Sequence, residues 1–244
     1  MRMNRIASTF ALFALAAGLA GCTTRDPGAL AEHDPFEPFN RSVFNFTQKA
    51  DKYVLKPVAK GYVAVVPEPA RDGIHNALTN LNEPVTLGND ILQGNVTGAG
   101  KTVARVVINS TVGVGGLIDV AGKIGIPDET QDLGVTLGKY GLPEGPYLFL
   151  PFLGPAPPRD AIGDVGDIFM DPFLYVRFPG RHTLIYVRQG AGIIDMRAQA
   201  LDQLDQIERT SVDFYATTRS LYRQSRNAKI NGSTPQSPQN LPSF

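Results

Sequence analysis

Six prolines, at positions 143, 146, 151, 155, 157 and 158, fall within the apolar stretch Leu133–Pro158, LGVTLGKYGLPEGPYLFLPFLGPAPP. Each proline fixes φ and removes a backbone donor, so no regular helix or central strand is expected to survive there. An apolar segment without regular structure has to be packed by its neighbours or lie against lipid. The bias extends beyond this stretch: the chain has 25 glycines and 19 prolines in 244 residues, well above the roughly 12% usual for the two together. Short, frequently interrupted elements follow. At 43% hydrophobic and 19% charged, the chain is neither disordered-like nor a multi-span membrane protein.

The N-terminus carries an address. Arg2 and Arg5 precede an apolar run from Ile6 to Ala20, too short to span a bilayer and shaped like a secretory signal. It ends Leu19-Ala20-Gly21-Cys22, which resembles the bacterial lipobox. That resemblance implies cleavage before Cys22, a diacylglycerol on its thiol and an acyl chain on its new amino group. Cys22 is the sole cysteine, which excludes an internal disulfide and a cysteine-rich zinc site. Three acyl chains make a lasting anchor, and Thr23 in place of aspartate implies sorting to a Gram-negative outer membrane. Residues 1–21 are thus read as signal peptide and 22–33 as a lipidated tether. The formal charge of +0 argues against a nucleic-acid binder, and loss of Arg2 and Arg5 leaves the mature chain slightly acidic.

From residue 34 to 231 the pattern is mainly helical. Pro35 and Pro38 are expected to delay a first helix until Asn40, a good N-cap, and Pro57 to end it. Phe36, Phe39, Phe44 and Phe46 crowd its start, either as core filling or as lipid contacts. Ile74, Ala77, Leu78 and Leu81 mark one helical face, Glu83-Pro84 is expected to break it, and Val85–Gln93 forms a second short helix capped by Gly94. Residues 98–111 place Ala99, Val103, Val106 and Val107 at helical spacing. The glycine-dense segment around Gly113, Gly115 and Gly116 allows a helix or ligand close to the backbone, or reads as a loop. Residues 161–169 form a short amphipathic helix. Ile194 to Arg226 is the longest clean helical pattern, acidic early and basic late as the helix dipole favours. Residues 232–244 read as a disordered tail.

Catalytic chemistry is mostly missing. Gly94–Thr102 reads GNVTGAGKT, a phosphate loop with Asn95 where its first glycine belongs. Gly113–Ile118 begins like a dinucleotide fingerprint but has Ile118 in the last glycine position. His33, His75 and His182 lack metal-ligand or triad spacing, and there is no nucleophile elbow. Asp164, Asp167 and Asp171 are read as a solvated helix face.

Four blocks carry a family resemblance: DPFEPFNRSVFNF at 34–46, VPEPARDGIHNALTNLNEPV at 66–85, NSTVGVGGLIDVAG at 109–122 and TLGKYGLPEGPYLFLPFLGPAPPRD at 136–160. In this order they resemble the MlaA (VacJ) family of outer-membrane lipoproteins. The resemblance implies a mainly α, ring-like assembly of short and amphipathic helices with Gly/Pro-rich irregular segments, embedded in one leaflet. It implies an amphipathic channel that removes mislocalised phospholipids from the outer leaflet and passes them to the periplasmic carrier MlaC, beside trimeric porins. It implies no enzyme and no cofactor besides the acyl groups on Cys22. Irregular backbone at membrane depth is tolerated only inside protein or along a wet cavity. Gly113, Gly115, Gly116, Tyr147 and Phe149 are therefore candidates for the channel border or lipid face, and Phe44, Asn45 and Phe46 for a gate. Lys139 and Arg159, near Tyr140 and Tyr147, are candidate head-group contacts, with a surface or structural ion pair as the alternative. Two other classes stay open: an envelope scaffold that docks porins without moving lipid, and a periplasmic lipid hydrolase.

Overall fold

The computed structural model describes residues 23, 24 and 26–232; the signal peptide, Cys22 and the tail from Ser233 lie outside the described residues. Two compact units emerge, one formed by the chain up to Lys49 with Glu144–Pro158, the other by Ala50–Pro143 with Arg159 onward.

The first unit begins earlier than the tether reading allowed. Asp26 caps α1 (Pro27–Ala31), accepting from the Gly28 N–H at 3.0 Å, with Pro27 in the first turn and Ala29 buried. The Thr24 N–H donates to Pro35 O at 2.7 Å, so this stretch is folded rather than a free leash. Helix α2 (Glu37–Ala50) starts three residues before Asn40. Pro38 lies in its first turn, where a missing N–H has no intrahelical partner to lose. Asn40 is therefore not a cap. It is fully buried, and its Nδ2 donates to Asp34 Oδ1 at 2.7 Å and to Tyr147 O at 3.0 Å. Its Oδ1 accepts from the Phe149 N–H at 3.0 Å, which ties α2 to the proline-rich return. That return keeps some regular structure: β1 (Phe149–Leu150) pairs antiparallel with β2 (Gly154–Pro155). Two-residue strands tolerate the prolines because only a few ladder donors are needed.

In the second unit a π-type turn at Asp51–Leu55 leads into α3 (Lys56–Val65). Pro57 sits in the first turn of α3 and does not end the helix; the wider turn, closed by the Lys56 N–H on Asp51 O, leaves room for the proline ring. Helix α4 (Glu68–Leu92) runs 25 residues straight through Pro84, where a break was expected. An interior proline costs about 3 kcal/mol, and here packing offsets it. Glu83, Val85 and Thr86 around the proline are all buried, and Glu83 is bonded by Arg105 Nε at 2.7 Å from α5 (Val96–Thr111). Asn95 caps α5, accepting from the Gly98 N–H. After α6 (Val120–Lys123), Asp132 caps α7 (Leu133–Lys139), a helix inside the proline-rich block that the proline argument had excluded; it precedes the first of the six prolines.

Helix α8 (Pro158–Met170) packs on α7 at two glycines: a Cβ on Gly163 would stand 2.3 Å from Gly134 N. The pattern expected as one helix over 194–226 is three: α9 (Arg181–Gln199), α10 (Leu201–Thr210) and α11 (Phe214–Ile230). Its breaks have no proline or glycine to announce them. Asp213, whose side chain accepts from the Ala216 N–H at 3.1 Å, is the cap that starts α11.

The core is polar. Among the described residues, 15 polar or charged residues are buried against 11 apolar ones, while 33 large apolar residues are exposed. Thr136 Oγ1 donates to Asn89 Oδ1 at 2.8 Å, Asn89 Nδ2 to Asp167 Oδ1 at 2.9 Å, and the Leu133 N–H to both oxygens of Asp167 at 3.1 Å. Asp167 is therefore an inward link between α4, α7 and α8, not part of a solvated face. Arg226 reaches from α11 to Asp132 at 2.6 Å and Asp160 at 2.8 Å, and Tyr222 OH also donates to Asp160. Such a network is stable because every member is paired.

Candidate functional site

Helices of the second unit are amphipathic with their polar side turned in. On α5, Gly98, Thr102, Arg105 and Asn109 are buried at intervals of three and four, whereas Val96, Val103 and Val107 face out. On α8, Arg159, Asp160 and Gly163 are buried while Ile162, Val165, Ile168 and Phe169 are exposed. In water this exposes apolar area that soluble monomers avoid in such quantity; against acyl chains it costs nothing. Among the described residues no helix is long and apolar enough to cross a membrane.

Within the same unit lies a cavity of about 720 Å³, inside the range of small-molecule sites. Its walls are the faces of α4 and α9, closed by Asp128, Thr130, Asp171 and the start of α10. The α9 wall recurs every three or four residues, through Ile185, Arg188, Gly192, Asp195 and Gln199, which is why one helix supplies it. Leu78, Ile185 and Met196 make it partly apolar. Arg188 donates from NH1 to Asp171 Oδ2 at 2.6 Å and from NH2 to Leu81 O at 3.2 Å, with its Cζ 5.4 Å from the centre of the Phe173 ring. Asp195, 5% exposed, lies 2.9 Å from His75 Nδ1 and accepts from Gln199 Nε2 at 3.0 Å. Burial raises the Glu83 carboxyl above its ordinary range, and the hydrogen bond and charge of Arg105 only partly oppose that. Polar groups converge at fixed points of this lining, between apolar surfaces.

The residues singled out from sequence fall in several places. Cys22 lies outside the described residues. Phe44 is 3% exposed and meets Phe149 edge-on at 5.3 Å; Tyr147 is fully buried. These three build the core of the first unit. Asn45 and Phe46 are exposed, and Phe46 touches Phe152 at 5.9 Å, edge to face, beside the exposed hairpin tip Phe152-Leu153. Gly113 and Gly116 are buried and Gly115 exposed in the turn after α5, and none of them lines the cavity. Gly116 has φ +90°, and a Cβ there would press on the Asn80 side chain at 2.8 Å, so the turn closes on α4 only with glycine. Lys139 is exposed, its Nζ donating to Gln93 Oε1 at 2.6 Å. Arg159 is 5% exposed and donates to Asp160 through Nε at 2.9 Å, an internal ion pair rather than an open head-group contact.

Sequence reasoning passed over the cavity itself. His75 has no metal-ligand or triad spacing along the chain, yet Asp195 reaches it across 120 positions. Arg188 and Gly192 lie before Ile194, where the expected long helix starts. The three-to-four recurrence from 185 to 199 was the available signal.

The family model described as "MlaA lipoprotein" matches residues 32–229. The "Intermembrane phospholipid transport system lipoprotein MlaA" of Escherichia coli (strain K12) is 38% identical over 231 residues, covering 91% of this chain and 89% of that one. The protein of the same description from Haemophilus influenzae is 35% identical, covering 93% and 92%. A solved chain from "Structural basis for maintenance of bacterial outer membrane lipid asymmetry" aligns with a TM-score of 0.72 and 36% identity, covering 81% of this chain and 99% of that one. The match runs through both units and through every helix that lines the cavity: the chain belongs to the MlaA lipoprotein family.

Proposed function

We propose that this chain, anchored through Cys22 to the periplasmic side of the outer membrane, is a passage by which mislocalised phospholipids leave the outer leaflet for a periplasmic carrier of the MlaC type. In this reading it sits in one leaflet beside trimeric porins and does no covalent chemistry. The observation that carries it is the cavity of about 720 Å³ with mixed lining, set among helices whose apolar faces point outward. A phospholipid has a charged head and apolar tails, and its path needs both characters. Polar inward faces supply one and Leu78, Ile185 and Met196 the other.

The test is a deletion strain assayed for phospholipid in the outer leaflet and complemented with variants. Deletion is expected to raise outer-leaflet phospholipid, and the wild-type gene to restore it. Gly192→Leu, which projects an isobutyl group into the cavity from α9, is expected to fail at normal protein level. No accumulation on deletion overturns the transport reading. Full complementation by Gly192→Leu overturns the cavity as the route and favours a scaffold that docks porins.

A further inference from the structure

We propose that the cavity selects among phospholipid head groups, favouring zwitterionic ones that carry a primary ammonium, such as phosphatidylethanolamine, over net-anionic ones such as phosphatidylglycerol. The inference rests on the lipid-passage reading and adds a specificity to the same site.

The wall carries more acidic side chains than lysines and arginines. Glu83 is neutralised by Arg105 at 2.7 Å, and Asp171 by Arg188 at 2.6 Å. Among the described residues, Asp195 and Asp128 then have no lysine or arginine within 4.0 Å, Asp195 pairing with His75 and Asp128 accepting from Thr130 Oγ1 at 3.1 Å. His75 and Gln199 hold Asp195 in place from α4 and from its own helix. Arg188, the only lysine or arginine among the described lining residues, has its guanidinium fixed over Phe173 and can take a phosphodiester oxygen beside Asp171.

Arg188 and Asp195 stand two helical turns apart on one face of α9, about 10 Å along the axis. Gly192 lies between them, and a Cβ there would meet nothing within 4 Å. At Gly192, midway between the positive and the negative group, the wall therefore carries no side chain. An ethanolamine head group has its phosphate and ammonium joined by a two-carbon bridge, so it fits this order of charges: phosphate at Arg188, ammonium toward Asp195. A glycerol head group brings the same phosphate and no cation to place against Asp195 and Asp128.

The experiment uses the full-length lipoprotein in nonionic detergent, given equimolar phosphatidylethanolamine and phosphatidylglycerol with identical acyl chains. Lipid retained after capture and washing is quantified by mass spectrometry. The expected ratio is about fivefold in favour of phosphatidylethanolamine, the worth of one partly solvated charge pair. N-acetylated phosphatidylethanolamine, which keeps the bridge but loses the cation, should fall to the level of phosphatidylglycerol. That arm needs no mutant and is independent of folding. Asp195→Asn should bring the ratio near one, and Arg188→Met should lower retention of both lipids. A wild-type ratio near one, or N-acetylated lipid retained as well as the free amine, overturns the selectivity while leaving the passage standing. No retention of either lipid by the wild type overturns both.

Discussion

Gly163 and Gly192 are both interior positions of regular helices, and the same substitution, glycine to alanine, should act on them with opposite sign. At Gly192 an added Cβ meets nothing within 4 Å. Only the backbone term changes, and stability should rise by about 0.5–1 kcal/mol. At Gly163 the added Cβ would lie 2.3 Å from Gly134 N and 2.6 Å from Gly134 Cα, where ordinary contact starts at about 3.4 Å. Both atoms are backbone and cannot rotate away, so α7 and α8 have to part by roughly 1 Å. The Leu133 N–H donates to both oxygens of Asp167 at 3.1 Å across that contact, and such an opening takes both beyond bonding distance. A lost bond to a carboxylate costs about 1.5–3 kcal/mol and overpacking about 1–3 more. Less the propensity gain, Gly163→Ala should destabilise by about 2–5 kcal/mol, a large part of the roughly 5–15 that folded domains possess. Denaturant unfolding of the two purified variants in nonionic detergent, followed by far-UV circular dichroism, measures the difference. A Gly163→Ala midpoint at or above wild type refutes the close approach, and a Gly192→Ala midpoint well below wild type refutes the open wall.

Three further outcomes are expected. Arg226→Met leaves Asp132 and Asp160 without their shared partner in a buried site, so unfolding in the same assay should show a loss of about 3–5 kcal/mol. Burial would raise the Asp160 carboxyl, but hydrogen bonds from Arg226, Arg159 and Tyr222 outweigh it and hold the group below its ordinary range. Its contribution is therefore present above the unfolded-state value near pH 4 and lost as pH falls through the lower folded one; Asp160→Asn should be less stable at neutral pH and show a shallower acid limb in a plot of melting temperature against pH. Cys22→Ala should abolish metabolic labelling with palmitate; label that persists contradicts the lipobox reading.

Much of the helical content was legible because three-to-four spacing survives whatever a helix packs against. Boundaries were less so, each for a local reason. Pro38 and Pro57 looked like breakers but fall in first turns, where proline is harmless. Pro84 is a true interior proline, and only the burial of Glu83 against Arg105 on a neighbouring helix explains why α4 continues. The division between α10 and α11 depends on Asp213 as a cap, a signal one residue long. Among the candidate residues, the chemistry of Tyr147, Phe149 and Arg159 is legible in the sequence, but their burial, in packing and in an internal ion pair, is not.

By itself the sequence determined that two faces exist on α5 and α8, that the proline-rich return yields little regular structure, and that the N-terminus carries a lipobox-like address. It did not determine which face points inward. Periodicity measures the contrast between two sides of a helix but has no sign, because the sign is set by the surrounding medium. Only the tertiary structure turns Thr102, Arg105 and Asn109 in and Val96, Val103 and Val107 out. Likewise only the fold brings His75 to Asp195 and Arg188 to Asp171 around one cavity, since a wall shared by α4 and α9 joins residues more than a hundred positions apart.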